Sequence, residues 1–149
     1  MRGFRFRLER ILEIRRYRER QAEMALAVAT GRCIECQNRM AEARSRMARE
    51  LVERAVAGGR LDLEALQWSE QYRRHLAEVY EASARDLVVR EKERRAAQAV
   101  YIDRSRERKV LDKLRERRVL DYTREARGRE ARILDDVSQA ARAARSGGE

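Results

Sequence analysis

An all-α fold is expected: an elongated antiparallel two-helix coiled coil whose second helix is the longer. Three observations carry this expectation. The chain has 149 residues, of which 42% are charged and only 5% aromatic. It contains no proline, the residue that most strongly breaks helices. Its apolar residues recur every three or four positions, in a stripe no wider than a coiled-coil seam. Alanine, arginine, glutamate and leucine dominate, as they do in long helices. Too few large apolar side chains remain for a compact core, which excludes a β-sandwich or an α/β sheet.

Helix 1 is expected over residues 5–57. Its seam steps through Ile14, Tyr17, Gln21, Met24, Val28 and Gly31, slips in phase, and resumes with Cys33, Cys36, Met40, Ala43, Met47 and Leu51. Gly58-Gly59 is the strong internal break, since glycine is favoured just past a helix end. A turn over 58–61 follows. Helix 2 is expected over 62–142, with Asp62 as N-cap and Leu61 and Leu66 at the spacing of a hydrophobic staple. Its seam reads Tyr72, Leu76, Val79, Ser83 and Leu87, fades, and returns at Tyr101, Leu111, Leu114 and Tyr122. Residues 143–149, ending in Ser146-Gly147-Gly148-Glu149, should fray. Arg15, Arg32, Arg90 and Arg104 fall near the seam and should weaken it. Ion pairs at helical spacing add only about a few tenths of a kcal/mol each, so the seam must supply the rest.

At a rise of 1.5 Å per residue these helices would be about 80 Å and about 120 Å long. Folding at the glycine pair places Tyr72 near Ala43–Met47, Cys33 near Ala84 and Leu111 near Phe4–Phe6. Residues beyond about Asp112 then lack a partner in the chain, although Leu114, Val119, Leu120, Tyr122, Ile133, Leu134 and Val137 are apolar enough to want one.

Charge divides the chain functionally. The net charge is +10, and of the basic residues only Lys92, Lys109 and Lys113 are lysine. Residues 1–57 carry 14 basic and 8 acidic side chains, residues 58–100 carry 8 of each, and residues 101–149 carry 14 and 10. A hairpin would gather the excess positive charge at its open end and leave the bend neutral, which suggests two different docking surfaces.

Several chemistries are excluded. His75 is the single histidine, and no glycine-rich phosphate loop or nucleophile triad is present, so no enzyme activity and no cofactor are expected. Cys33-x-x-Cys36 lacks the further ligands of a zinc site and the βαβ setting of a redox motif, so the two read as small seam residues, and no metal is expected. With two cysteines there is no disulfide framework, which suits a reducing compartment. A membrane span needs about 20 mostly apolar residues, and the charge pattern nowhere permits one. The start, MRGFRFRLER, lacks the apolar stretch of a secretory signal. Basic residues are interspersed with acids throughout and carry no recognised nucleic-acid motif. The few aromatics are more informative. Phe4 and Phe6 flank Arg5, and Trp68, Tyr72 and Tyr80 cluster past the bend. The stripe of Tyr72, Leu76 and Val79 is either hairpin core or an interface anchor.

The opening FRFRLERILEIRR resembles the start of the flagellar export protein FliJ family. RERKVLDKLRERR, Arg106 to Arg118, followed by Tyr122, Glu125, Glu130 and ILDD at Ile133–Asp136, resembles that family's C-terminal pattern. The resemblance implies a non-enzymatic, cytoplasmic component of the flagellar type III export apparatus, peripheral to the inner membrane at the flagellar base. It implies an antiparallel coiled coil, similar to the stalk of rotary ATPases, that inserts into the hexameric export ATPase FliI. The same resemblance implies contact with the export gate protein FlhA and with export chaperones. On that basis Phe4, Phe6, Leu8, Arg106, Lys109, Leu111, Lys113 and Leu114 are expected to meet the ATPase ring. Tyr72, Leu76 and Val79 are expected to meet the gate. The competing expectation is a general coiled-coil adaptor or chaperone, or the analogous stalk of a virulence secretion system.

Overall fold

The computed structural model describes residues 4–56 and 62–146, with side chains as far as Arg142. Two helices form: α1, Glu9–Val56, of 48 residues, and α2, Leu63–Ser146, of 84 residues. No strand occurs among the described residues. The all-α class with a longer second helix is what the chain adopts. The glycine pair, the turn over 58–61, Leu61 and the expected last residue of helix 1, Ala57, lie outside the described residues.

The helix ends follow from local chemistry. Asp62 caps α2: its Oδ1 accepts the Glu64 amide at 3.2 Å and its carbonyl accepts the Leu66 amide at 3.1 Å. Glu9 and Glu64 sit in first turns and Arg54 in a last turn, each matching the sign of the helix dipole. α1 starts at Glu9, later than Arg5. The Glu9 amide donates to the Phe6 carbonyl at 3.1 Å, closing a turn ahead of the helix. α2 continues to Ser146, so residues 143–146 are helical.

The chain divides into two compact units, residues 1–17 with 105–149 and residues 18–104. In the second unit α1 and α2 run antiparallel. Ser69 donates to Glu50 at 2.6 Å, the Cys36 thiol to Asp86 at 3.3 Å, and Arg32 lies 3.9 Å from Glu93. The buried positions of α1 are Ala22, Ala29, Cys33, Cys36 and Ala43, with Leu26, Met40 and Met47 half-buried between them. These alternate by three and four without interruption, so the phase slip expected after Gly31 does not exist. The sequence reading followed the larger side chains Met24 and Val28, but both are exposed. Small residues occupy the seam because two helices can then approach closely. Each buries little apolar area, so the driving force per residue is small. On α2 the matching positions include Leu76 and Ser83, both buried, with Tyr80, Leu87 and Arg90 half-buried. The Cys36–Asp86 bond places Cys33 beyond Ala84, so the register is shifted from the simple fold-back at the glycines.

In the first unit α1 and α2 also run antiparallel. Arg115 donates to Glu9 at 3.1 Å, Arg16 to Asp112 at 2.9 Å, and Arg15 pairs with Glu107. Leu12 is fully buried and Ser105 lies among the buried residues. Ile14 and Tyr17, expected in the seam, are exposed. Two expectations change here. Asp112 pairs with Arg16, so Leu111 lies along α1 rather than against Phe4–Phe6. The partnered stretch of α2 also extends past Asp112, because Phe4 packs on Tyr122 with ring centroids 5.7 Å apart. Ile133, Leu134 and Val137 are exposed.

Gly31 and Gly128 lie inside helices, and nothing stands within 4 Å of where a Cβ would project. Glycine costs a helix interior about 0.5–1 kcal/mol relative to alanine. Replacing both by alanine is therefore expected to raise the thermal midpoint, followed by circular dichroism at 222 nm. An unchanged or lowered midpoint would show that one of these glycines serves a bend.

Candidate functional site

Three sites, two on the first unit and one on the second, hold most of the residues singled out from the sequence. On the first unit the non-helical segment Phe4–Leu8 lies against α2 and forms a groove of about 740 Å³. Phe4, Phe6, Leu8, Leu114 and Tyr122 supply its apolar walls, and Arg5, Arg7, Arg118, Asp121 and Glu125 its polar rim. The Phe4 and Tyr122 rings are tilted by 58°, an edge-toward-face arrangement that aromatic quadrupoles favour. Along Phe4-Arg5-Phe6-Arg7-Leu8 the apolar residues are half-buried and the two arginines exposed, which gives the groove apolar walls and a charged rim.

A basic cleft lies farther along the same unit, lined by Arg16, Arg108, Lys109, Asp112, Lys113, Arg115 and Glu116. Burial alone would raise the Asp112 carboxyl, but hydrogen bonds from Arg108 and Arg16 outweigh it and hold that carboxyl below its ordinary value. Asp112 therefore stays ionised and fixes two guanidinium groups, while Lys109 and Lys113 remain exposed. Arg106 is exposed, and Leu111 and Leu114 are half-buried. The structure thus brings Phe4, Phe6, Leu8 and Leu114 together in the groove and Lys109 and Lys113 together in the cleft.

On the second unit, Tyr72, Leu76 and Val79 line a shallow site with Arg39, Glu42, Ala43, Arg46 and His75. The three residues of the stripe are not equivalent. Leu76 is only 4% exposed and belongs to the seam, whereas Tyr72 is 41% exposed. Val79 is half-buried. A hydrogen bond with Tyr72 and a further one with Glu42 raise the Arg46 pKa. Glu70, on the same helix, is held below its ordinary value by hydrogen bonds from Arg73 and Arg74. Trp68 is 71% exposed, with Leu63, Val52 and Val56 also exposed in this unit.

The cysteines are free and buried. Burial, and then the bond to Asp86, raise the Cys36 thiol, which opposes nucleophilic or ligand chemistry there. Among the described residues no group of three potential metal ligands occurs. No described helix is long and apolar enough to cross a membrane.

Arg5, Arg7, Arg118, Asp121, Tyr122 and Glu125 also line the groove, and the sequence alone does not assign them to it. The signal for them was present in the Phe4/Phe6 alternation and in Tyr122, but it required the correct register.

No curated protein and no solved structure matches the chain. The sequence model of the flagellar FliJ protein matches residues 4–147, almost the whole of the 149 residues. The match includes all three sites and both helices. A non-enzymatic component of the flagellar type III export apparatus, associated with that apparatus at the flagellar base, is what this family implies. The chain belongs to the flagellar FliJ family.

Proposed function

We propose that this protein acts as the stalk of the export ATPase, engaging the hexameric FliI ring with its first unit and the gate protein FlhA with its second. The asymmetry of charge carries the reading. Residues 1–17 and 105–149 hold 19 basic and 11 acidic side chains, so this unit carries +8 of the total +10. The same unit bears the groove and the basic cleft. A ring of six like subunits offers a stalk the same surface six times. An asymmetric stalk contacts them unequally and so biases their nucleotide states, with no chemistry of its own.

Phe4, Phe6, Leu8 and Leu114 supply apolar contact to the ring, and Arg106, Lys109 and Lys113 supply charge. Leu111 supports the cleft from its half-buried position. On the second unit Tyr72 is the anchor toward the gate, an exposed aromatic hydrogen-bonded with Arg46. Val79 adds contact beside it, and Leu76 supports both from the seam. Export chaperones are further partners under this reading.

The test is the ATP turnover of the purified cognate ATPase with and without this chain. Stimulation and tighter ring assembly support the stalk. Turnover and assembly unaffected by a saturating amount of folded chain would reduce the protein to an adaptor of the export apparatus.

A further inference from the structure

We infer that the groove between Phe4–Leu8 and α2 is a docking site for an acidic peptide segment of a partner protein, one that carries a single large apolar anchor. The inference deepens the reading of the first unit as a protein-facing surface and rests on it. At about 740 Å³ the groove can receive an aromatic or leucine side chain together with its neighbours. Its apolar walls are not closed over: Phe4, Phe6, Leu8, Leu114 and Tyr122 are all only half-buried. The tilted Phe4–Tyr122 pair keeps two walls standing as ring edges and faces rather than a flat surface.

Charge selects among occupants. Arg5, Arg7 and Arg118 stand on the rim, and guanidinium forks suit carboxylates in two-point contact. The surrounding unit carries +8, which draws in an acidic chain and speeds its encounter. A second copy of this protein would bring the same excess of positive charge and be repelled. The chain's own exposed apolar residues, Ile133, Leu134 and Val137, stand farther along the same helix that forms the groove, and a continuous helix cannot return them to it. Nucleic acid fits less well, because it carries a phosphate at every nucleotide and must set one against Asp121 and Glu125, whereas a peptide can place an uncharged residue there. The same two carboxylates give the groove polarity and so set a direction for the bound peptide.

The experiment uses the full chain and three fluorescein-labelled probes at about 0.15 M salt. One is a peptide of Asp and Glu around a central Phe. The second has Ser in place of that Phe at equal charge. The third is a uridine oligonucleotide of matching charge. The first peptide is expected to bind at least about tenfold more tightly than the second. Phe4→Ser, outside both helices, is expected to remove that preference without changing helicity, and Arg118→Gln to weaken both peptides together. Equal binding of the two peptides, or tighter binding of the oligonucleotide, would overturn the inference. Its fate is separable from that of the ATPase reading. Peptide discrimination without ATPase stimulation leaves the groove standing for another protein, whereas stimulation without discrimination removes the groove alone.

Discussion

Replacing Leu12 by alanine is expected to open the first unit while leaving the second closed. Leu12 is 0% exposed, and it is the one apolar residue in the buried class among the described residues of that unit. The unit's other contacts are the half-buried Phe4–Tyr122 ring pair and ion pairs at partly exposed positions, Arg15–Glu107, Arg16–Asp112 and Arg115–Glu9. Exposed pairs of this kind hold helices weakly and are screened by salt. Removing a buried leucine side chain typically costs about 2–5 kcal/mol, from lost burial and from the cavity left behind. Amide exchange around Leu12 and Ser105 should accelerate by between about two and three orders of magnitude, near the middle of that range.

The two cysteines supply a native control in the second unit. Cys33 and Cys36 are buried there, and burial together with Asp86 raises the Cys36 thiol, so alkylation should be slow. Leu12→Ala should leave that rate nearly unchanged, whereas Leu76→Ala should accelerate it. If Leu12→Ala exposes the thiols as much as Leu76→Ala does, the seam opens as one piece.

The two-helix architecture is readable from the sequence because composition decides it. A chain free of proline, rich in arginine, glutamate and alanine, has no competing fold. Asp62 also reads correctly, since a capping side chain acts on amides two or three residues away and needs no distant partner. The seam is less readable. Ile14, Tyr17, Met24 and Val28 follow a helical period as well as Leu12, Ala22, Ala29 and Cys33 do, and they are mostly larger. Only the closeness of the opposing helix decides in favour of the small set. That closeness is a tertiary fact.

Register is hidden for the same reason. Ion pairs such as Arg16–Asp112 could form at several offsets in so charged a chain, so no local rule selects one. The groove inherits this uncertainty. Phe4, Phe6, Leu8 and Leu114 can be chosen individually, but their meeting with Arg118, Tyr122 and Glu125 requires the pairing to be known. The Tyr72 stripe shows the converse. Spacing puts Tyr72, Leu76 and Val79 on one face, and only burial separates the exposed tyrosine from the leucine beneath.

Neutralising Arg106, Lys109 and Lys113 together by alanine is expected to weaken ATPase binding about ten- to a hundredfold with little loss of helicity. Lys109 and Lys113 are exposed and line one cleft, and Arg106 is exposed on the same helix. Alanine is the best helix former, so α2 itself should not suffer. The charges act mainly on encounter and salt dependence. The wild-type chain should therefore lose affinity steeply as salt rises, and the triple variant should show a shallower slope. A wild-type slope in the triple variant would assign the binding to other groups.

Under the function proposed, the two units recognise different proteins, the first through charge and the groove, the second through Tyr72. The most direct measurement is a cross-test of two variants against two purified partners, the export ATPase and the cytoplasmic domain of the gate. Arg106→Ala/Lys109→Ala/Lys113→Ala should lose the ATPase and keep the gate. Tyr72→Ala, at an exposed position, should lose the gate and keep the ATPase. Loss of both partners by either variant, at unchanged helicity, or of neither by both, would contradict the account.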